Sequence, residues 1–494
     1  MARAFLLLVL VCALGDVAHA VAPVAASTEK HVPIVRVNVT NQPYDFFHPW
    51  TKRAPTSRHG LGAVLQSHRV LVTAELVENA NYVELEAAES GEKMAATVDV
   101  VDYEANLALL KPNEEKFFAA IKPLETKNAV VGDRVGVWQL ESTGALVTTT
   151  AVVTTVEVSR YPTGDSALLV YRLTSPLQYR ESSFTLPVVK DDKLTGLLMR
   201  YDTRTQNVDV IPAPVIDHFL KDATSKGARG FPRAGVLFAT TRDPQLRRYA
   251  GLNGNANGGV YVTHVQPGGP ADKAGVQVGD IMLTIGGKAI DQDGNFSDPL
   301  YGKISLVHLI TTTHFDGDVV KCDISRKGEV RSVSLTLKHR PVSDYVIEPY
   351  TIDSAPHFYV LGGLVFQELS RQYLKEWGSE WLKKAPERFV YYDRYQAELF
   401  LDRTRKLVIL SQVLPSPITL GYEELNYLVV TKINGIEIKS LADIPGALEK
   451  AENGFHKIEF DENPHEIYLD ASQVEASNAA LMKNYGLPDI KRLD

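Results

Sequence analysis

Residues 258–290 read GGVYVTHVQPGGPADKAGVQVGDIMLTIGGKAI. Gly259 to Val265 is rich in β-branched and aromatic residues and predicts a strand. Pro267-Gly268-Gly269-Pro270 predicts a turn. Ala271 to Ala274 is long enough for one helical turn, which Gly275 would end by taking a left-handed conformation. Val278-Gly279-Asp280 then turns the chain into a second strand, Ile281 to Ile285. Strand, turn, short helix and strand in this order define a small α+β module.

Around this stretch the unit extends from about Ala234 to His339. A Gly/Arg/Pro segment, Lys226 to Arg233, precedes it as a linker. Upstream, from Thr56 to Val215, short β runs are separated by polar or glycine-containing turns, including Val70-Leu71-Val72, Tyr82 to Leu85, Thr97 to Val100, Val135 to Trp138, Thr148 to Val156 and Ala167 to Tyr171. Closely spaced short strands predict a barrel or sandwich, and the segment from Ile211 starts a short closing helix. Downstream, from Ile347, strands such as Leu407 to Leu410 mix with helical stretches at Ser370 to Lys384 and Leu441 to Ala451. The second and third units share a faint repeat. Gly279-Asp280-Ile281 through Ile285 to Ile290 resembles Tyr427 through Ile433-Asn434-Gly435 to Ile438.

The 494 residues suit three or four domains. Fifty-two basic against 60 acidic residues give a net charge of −8, and this balance argues against sequence-independent nucleic-acid binding. Arg3, the apolar run Phe5 to Leu14 and Ala18-His19-Ala20 predict a signal peptide over residues 1–20. No later run reaches the length of a membrane-spanning helix, so no stable membrane insertion is expected. Of two cysteines, Cys12 falls in the signal segment. Cys322, in an alternating strand pattern, is expected to be a buried thiol. The histidines show no metal-ligand spacing, and neither metal nor cofactor is expected. Asp291-Gln-Asp293-Gly-Asn295 starts like a calcium loop, but Phe296 and Gly302 stand where that loop needs Gly and Glu, so a solvated turn is expected. Trp377 and Trp381, four apart on a helical stretch, are expected to pack into a core.

The Gly258–Ile290 stretch resembles a PDZ domain as arranged in the exported HtrA/Deg proteins. The resemblance implies that a ligand's C-terminal strand adds to a sheet edge while backbone N–H groups hold its carboxylate. The matching loop is Ala234-Gly235-Val236-Leu237-Phe238, and these five residues are the expected peptide-binding site. The upstream unit resembles the trypsin-like protease domain of that family. Gly60 to Val64 is similar to its G-S-G-F-V, Leu71 to Val77 to its L-T-N-A-H-V-V, Asn106 to Lys111 to its D-L-A-L-L-K, and Val131 to Val135 to its V-G-D-x-V. In the third unit, Phe358 to Phe366, Val408 to Leu414, Leu420 to Glu424, Ile433-Asn434-Gly435 and Asn484 to Pro488 resemble the second PDZ domain and tail of the plant-type Deg branch and its bacterial exported relatives.

The catalytic positions depart from the family. Glu75 replaces its histidine and Asn106 its aspartate. With Pro187 matched to the last residue of G-N-S-G-G-P, Phe184 takes the nucleophile position, and Thr185 and Leu186 replace the two glycines. Triad chemistry needs a base titrating near neutrality, an orienting group, a hydroxyl in reach and N–H donors aimed at the oxyanion. A slip in register would bring Ser182 or Ser183 to the nucleophile position, but it would restore neither base nor oxyanion loop.

The expected architecture is therefore mostly β: a signal peptide (1–20), an N-terminal arm (21–45), a trypsin-like double β-barrel with a degenerate triad (46–225), a first PDZ domain (231–340), and a second PDZ-like α+β domain with its tail (345–494). The expected function is that of an exported, periplasmic or extracellular pseudoprotease that binds peptide C-termini or unfolded clients in quality control or as a scaffold. It would work as a homo-oligomer, trimer-based by resemblance, or in co-assembly with an active relative. An active serine endopeptidase with a rearranged site and a purely structural assembly protein are the alternatives.

Overall fold

The computed structural model describes residues 32–493, except 67, 120, 165, 179–182, 184, 226–229, 253–257, 401 and 403. Residues 1–31, with the expected signal peptide, lie outside the described residues.

Twelve strands make two closed barrels. The first contains β1 (Ile34–Asn41), β2 (Thr56–Leu65), β3 (Arg69–Val72), β4 (Ala80–Ala87), β5 (Lys93–Asp102) and β6 (Leu107–Pro112). The second contains β7 (Arg134–Leu140), β8 (Leu146–Arg160), β9 (Ala167–Thr174), β10 (Pro187–Lys190), β11 (Lys193–Asp202) and β12 (Asn207–Pro212). Hydrogen-bonded order is β1-β2-β3-β6-β5-β4 in one and β7-β8-β9-β12-β11-β10 in the other, so the two barrels share a topology. Closure leaves neither barrel with a free edge.

The expected N-terminal arm is corrected. Val35, Val37 and Val39 point into the first barrel, Ile34 packs on the opposite face in the core shared with the second barrel, and β1 pairs with both β2 and β4. The period-2 run IVRVNVTN is a barrel strand, and the barrel domain starts before residue 46. A one-turn helix, α1 (Ala74–Val77), follows β3, and α2 (Ala213–Ala223) closes the second barrel.

The linker is likewise corrected within its described part, Gly230 to Arg233. Phe231 is buried, Gly230 N donates to Asp222 at 2.9 Å, and Arg233 N donates to Lys338 O at 3.0 Å. The His218 ring of α2 lies between Phe231 (4.3 Å) and Phe315 (4.2 Å), close to parallel with both. Gly230 to Arg233 are thus held to both neighbours by apolar burial and backbone hydrogen bonds.

The middle unit contains β13 (Val236–Ala239), α3 (Pro244–Tyr249), β14 (Val260–Val265), α4 (Pro270–Lys273), β15 (Ile281–Ile285), β16 (Lys288–Ala289), the hairpin β17 (Asn295–Asp298) and β18 (Gly302–Ser305), α5 (Leu306–Thr311), β19 (Val319–Arg326) and β20 (Glu329–Thr336). The main sheet runs β13-β14-β15-β19-β20, which leaves β13 on an edge. The turn, short helix and strand expected at 267–285 are all present, and Gly275 has φ +77° where α4 ends. Cys322 is fully buried on β19, and burial pushes its thiol up to about 12. Asp291 pairs with Lys303 at 2.6 Å, while Asp293 pairs with Arg242, so both carboxylates of the acidic turn are held by cations.

The third unit carries a mixed-length antiparallel sheet from Glu466–Asp470 through Phe455–Phe460, Leu428–Ile433, Val408–Val413, Leu364–Glu368 and Phe358–Leu361 to Lys491–Arg492. The sequence repeat is structural. Gly286-Gly287 follow β15 and Asn434-Gly435 follow Leu428–Ile433, each pair with positive φ at both positions. Each turn folds the strand back on itself, Ile285 against Lys288 and Ile433 against Ile436, as a two-residue turn of this hand should. Trp377 and Trp381 fall on separate short elements, broken at Gly378. Both pack on the third unit's aromatic core, and Phe47 of the first-barrel region meets the Trp377 ring edge-on at 4.9 Å.

Candidate functional site

Two places follow from the sequence: the cleft of the degenerate triad and the edge of β13.

In the cleft, α1 presents Glu75, and the β5–β6 connection brings Asn106 beside it. Asn106 is buried, sits at φ +53°, and accepts the Glu75 backbone N–H on Oδ1 at 3.0 Å. Its Nδ2 has no hydrogen-bond partner among the described residues. A carboxylate here would offer its second oxygen to an imidazole. The amide instead buries a donor that has nothing to meet, a state that costs about 1–3 kcal/mol. The substituted residues thus meet as the family resemblance implies, through the Asn106 side chain and the Glu75 backbone.

Ser183, Thr185 and Leu186 are built into the barrels. Ser183 N donates to His59 O at 3.0 Å, Leu61 N to Thr185 O at 2.9 Å, and Leu198 N to Leu186 O at 2.8 Å. Thr185 and Leu186 are fully buried. Thr185 Oγ1 hydrogen-bonds Thr73 Oγ1 and lies 3.3 Å from the hydroxyl of buried Ser183. Gly60 makes the space: a Cβ there would stand 3.1 Å from Thr185 Cβ. These side chains occupy volume that the family's glycines would leave empty. His59 is exposed on β2, with Nδ1 3.0 Å from Asn38 Oδ1. Phe184 and Ser182 lie outside the described residues.

The second place is a groove of about 320 Å³ beside β13. Ala234 to Phe238 line one wall, and Leu306, Val307 and Ile310 of α5 line the other. The Ser305 side chain caps α5 by accepting from Val307 N, which fixes the helix start against the groove. Gly235 has φ +73°, and a Cβ there would meet Pro270 Cδ at 3.2 Å, so the loop needs glycine on both counts. Gly235 O and Ala234 O accept from Gln266 N and Ala271 N, which ties the loop to the β14–α4 turn. All five residues predicted from sequence therefore come together on the groove.

Sequence reasoning missed the remaining lining. Ser166, Ala167 and Leu168 come from the second barrel, Arg340 and Tyr345 from the connection to the third unit, and Ala397 from that unit's helix Glu387–Leu399. It also missed Glu104, 2% exposed, whose carboxylate accepts from Ser166 Oγ at 2.6 Å and from Arg233 Nη2 at 3.2 Å. Arg233 Nη1 donates to Tyr345 OH at 3.1 Å. Nearby, burial pushes the Asp102 carboxyl up to about 7, assisted by the charges of Glu104 and Asp222. An apolar run after a serine cap, Ser305-Leu306-Val307-His308-Leu309-Ile310, was a usable signal for α5. No local pattern marks residues that meet only across domains.

The fold and the site define a two-barrel protease body followed by two PDZ domains. Profiles described as "PDZ domain" match residues 235–337 and 347–491. The chain is 29% identical to Protease Do-like 2, chloroplastic, of Arabidopsis thaliana over 93% of this chain and 75% of that protein. Serine protease HTRA1 of Xenopus tropicalis is 23% identical over 53% of this chain and 59% of its own length. Among solved structures, the HtrA-type protease AlgW with decapeptide superposes with a TM-score of 0.47 at 15% identity, covering 63% of this chain and 97% of that one. The chain carries two PDZ domains and is similar over most of its length to proteases of the HtrA/Deg family.

Proposed function

We propose that this chain is a non-catalytic member of the HtrA/Deg family that captures peptide C-termini or unfolded clients through its first PDZ domain. The observation that carries the reading is the Glu75–Asn106 pair. Asn106 uses its one acceptor on the Glu75 backbone and buries an unmatched amide where the orienting carboxylate would work. The buried Thr185 and Leu186 side chains support it, because an oxyanion loop needs its backbone N–H groups turned to substrate. The groove beside β13 supports the binding half, since an edge strand with an adjoining apolar pocket suits an added ligand strand.

The reading extends to assembly as a homo-oligomer or with an active relative, and to export into a periplasmic or extracellular space. Both rest on the family resemblance and on residues 1–20. A fluorophosphonate probe tests the first half: no labelling is expected, and stoichiometric labelling at a serine would overturn it. Titration with fluorescent peptides bearing a free or an amidated C-terminus tests the second. Tighter binding of the free acid is expected, and equal binding or none would overturn it.

A further inference from the structure

The third unit repeats the middle one strand by strand. Its strands in chain order are β21 (Phe358–Leu361), β22 (Leu364–Glu368), β23 (Val408–Val413), β24 (Leu428–Ile433), β25 (Ile436–Glu437), β26 (Phe455–Phe460) and β27 (Glu466–Asp470). The order β13-β14-β15-β19-β20, with β16 folded back on β15, returns as β22-β23-β24-β26-β27, with β25 folded back on β24. The irregularities coincide. β13 and β14 slip register between Leu237 and Phe238, and β22 and β23 between Val365 and Phe366. β15 and β19 slip between Met282 and Thr284, and β24 and β26 between Val430 and Lys432. Gly235 and Gly363 both have positive φ, +73° and +126°. The carbonyl of each accepts from the first residue past the neighbouring strand, Gln266 N at 2.8 Å and Leu414 N at 2.7 Å. β22 therefore stands where β13 stands, and Gly362-Gly363 where Ala234-Gly235 stand.

The edge that β13 leaves open is taken in the third unit. β21 pairs antiparallel along β22, Phe358 with Gln367, Tyr359 with Phe366, Val360 with Val365 and Leu361 with Leu364. A ligand strand whose carboxyl end meets the Ala234-Gly235 loop runs antiparallel to β13. β21 runs along β22 in that sense, with Leu361 at the Gly362-Gly363 loop. Tyr359 and Leu361 pack on one face in a core with Phe366, Ile444 and Ala447, and Phe358 and Val360 pack on the other with Val365 and Leu414. No residue of β21 is more than 7% exposed. Ile444 and Ala447 belong to the short helix Ile444–Leu448, which comes between β25 and β26 in the chain as α5 comes between β16 and β19.

We infer that β21 is a built-in ligand, a segment of this chain held in the peptide site of its second PDZ domain, so that each chain offers one open peptide site, the groove beside β13. The occupied site takes an apolar strand buried on both faces. Its filling follows from the pairing of β21 with β22, while the count of one open site rests on the C-terminus-binding reading above.

The test uses the full chain and a decapeptide whose last four residues copy Phe358–Leu361 and end in a free carboxylate. Isothermal titration should give one peptide per chain, and Gly235→Trp, which closes the groove beside β13, should leave none. Saturable binding that remains in Gly235→Trp would put an open site on the third unit and overturn the inference. In the Gly235→Trp background, Phe358→Ser, Tyr359→Gly, Val360→Ser and Leu361→Gly together take β21 out of its site. The peptide should then bind once per chain, in place of the lost strand, and a peptide with Lys at its Tyr and Leu positions should not bind. If this variant is unfolded alone, millimolar peptide should restore its cooperative thermal unfolding and the Lys peptide should not. Neither binding nor restoration would overturn the inference. No binding to the unaltered chain would remove the C-terminus reading of the groove beside β13 and the count of one with it, and the strand-replaced variant would still decide whether β21 fills a peptide site.

Discussion

Arg233 and Glu104 meet across a domain boundary. The guanidinium of the residue just before the PDZ loop donates to a carboxylate two positions from Asn106, at 3.2 Å, and the same carboxylate takes the Ser166 hydroxyl of the second barrel. One buried carboxyl group therefore joins both barrels to the base of the groove beside β13.

Removing the cation should expose this dependence. Arg233→Leu leaves Glu104 buried without its charge partner, and the loss of folding stability should be about 3 kcal/mol. Arg233→Leu combined with Glu104→Leu should recover much of that loss, because the uncompensated charge goes with the pair. Urea unfolding of the three variants checks this, and a double variant no better than the single would contradict it.

His218 makes the same boundary sensitive to acid. Its Nδ1 lies 3.0 Å from Thr312 O, so that nitrogen carries the proton, while its buried Nε2 has no partner among the described residues. Burial lowers its pKa below the ordinary 6.5, the backbone bond to Thr312 and the charges of Asp222 and Asp318 opposing and Lys221 assisting. The unfolded chain then takes up the proton first. Stability from this residue is complete above about 6.5 and declines as pH falls below it. His308, His339 and His456 are lowered in the same sense, also by burial, so the effect is read as a difference. His218→Phe should lose less stability than the unaltered chain between pH 7.5 and 5.5, measured by thermal unfolding.

Asp102 works in the opposite direction. Its carboxyl is raised to about 7, so its protonated form suits the fold, and its contribution is complete below about 3.8 and lost as pH rises through 7. Asp102→Asn keeps an acceptor for the Ala105 N–H, now bonded at 2.9 Å, and carries no charge. The variant should unfold at a higher temperature than the unaltered chain at pH 8, and the gap should narrow as the pH falls below 7 and close near 4.

The oxyanion-loop positions should be needed for structure. Leu186→Gly removes a fully buried side chain and adds backbone freedom, and should cost about 3–5 kcal/mol. A catalytic loop would tolerate or favour this glycine. Gly235→Trp should instead leave the barrels folded and abolish peptide binding, since φ +73° and the Pro270 contact leave no room for a side chain.

Much of the fold is legible because its signals are local. The Gly275 stop, the Ile281–Ile285 strand and the Asn434-Gly435 turn each follow from a few adjacent residues. The Ile34–Asn41 strand was as local, yet its alternation sits alone before a long irregular stretch, and only pairing with β4 reveals that it closes a barrel. At the site, Ala234 to Phe238 and the Glu75–Asn106 pair come from motif positions. The opposing wall from α5, the Arg233–Glu104 pair and Arg340 depend on how three units pack, and no periodicity encodes that.

The central claim is tested most directly by incubating the purified chain with an unfolded casein substrate and following new N-termini over hours, beside a Ser182→Ala/Ser183→Ala double variant. The account predicts no cleavage above a buffer control for either protein. Cleavage by the unaltered chain that disappears in the double variant would contradict it and place a working nucleophile at those serines.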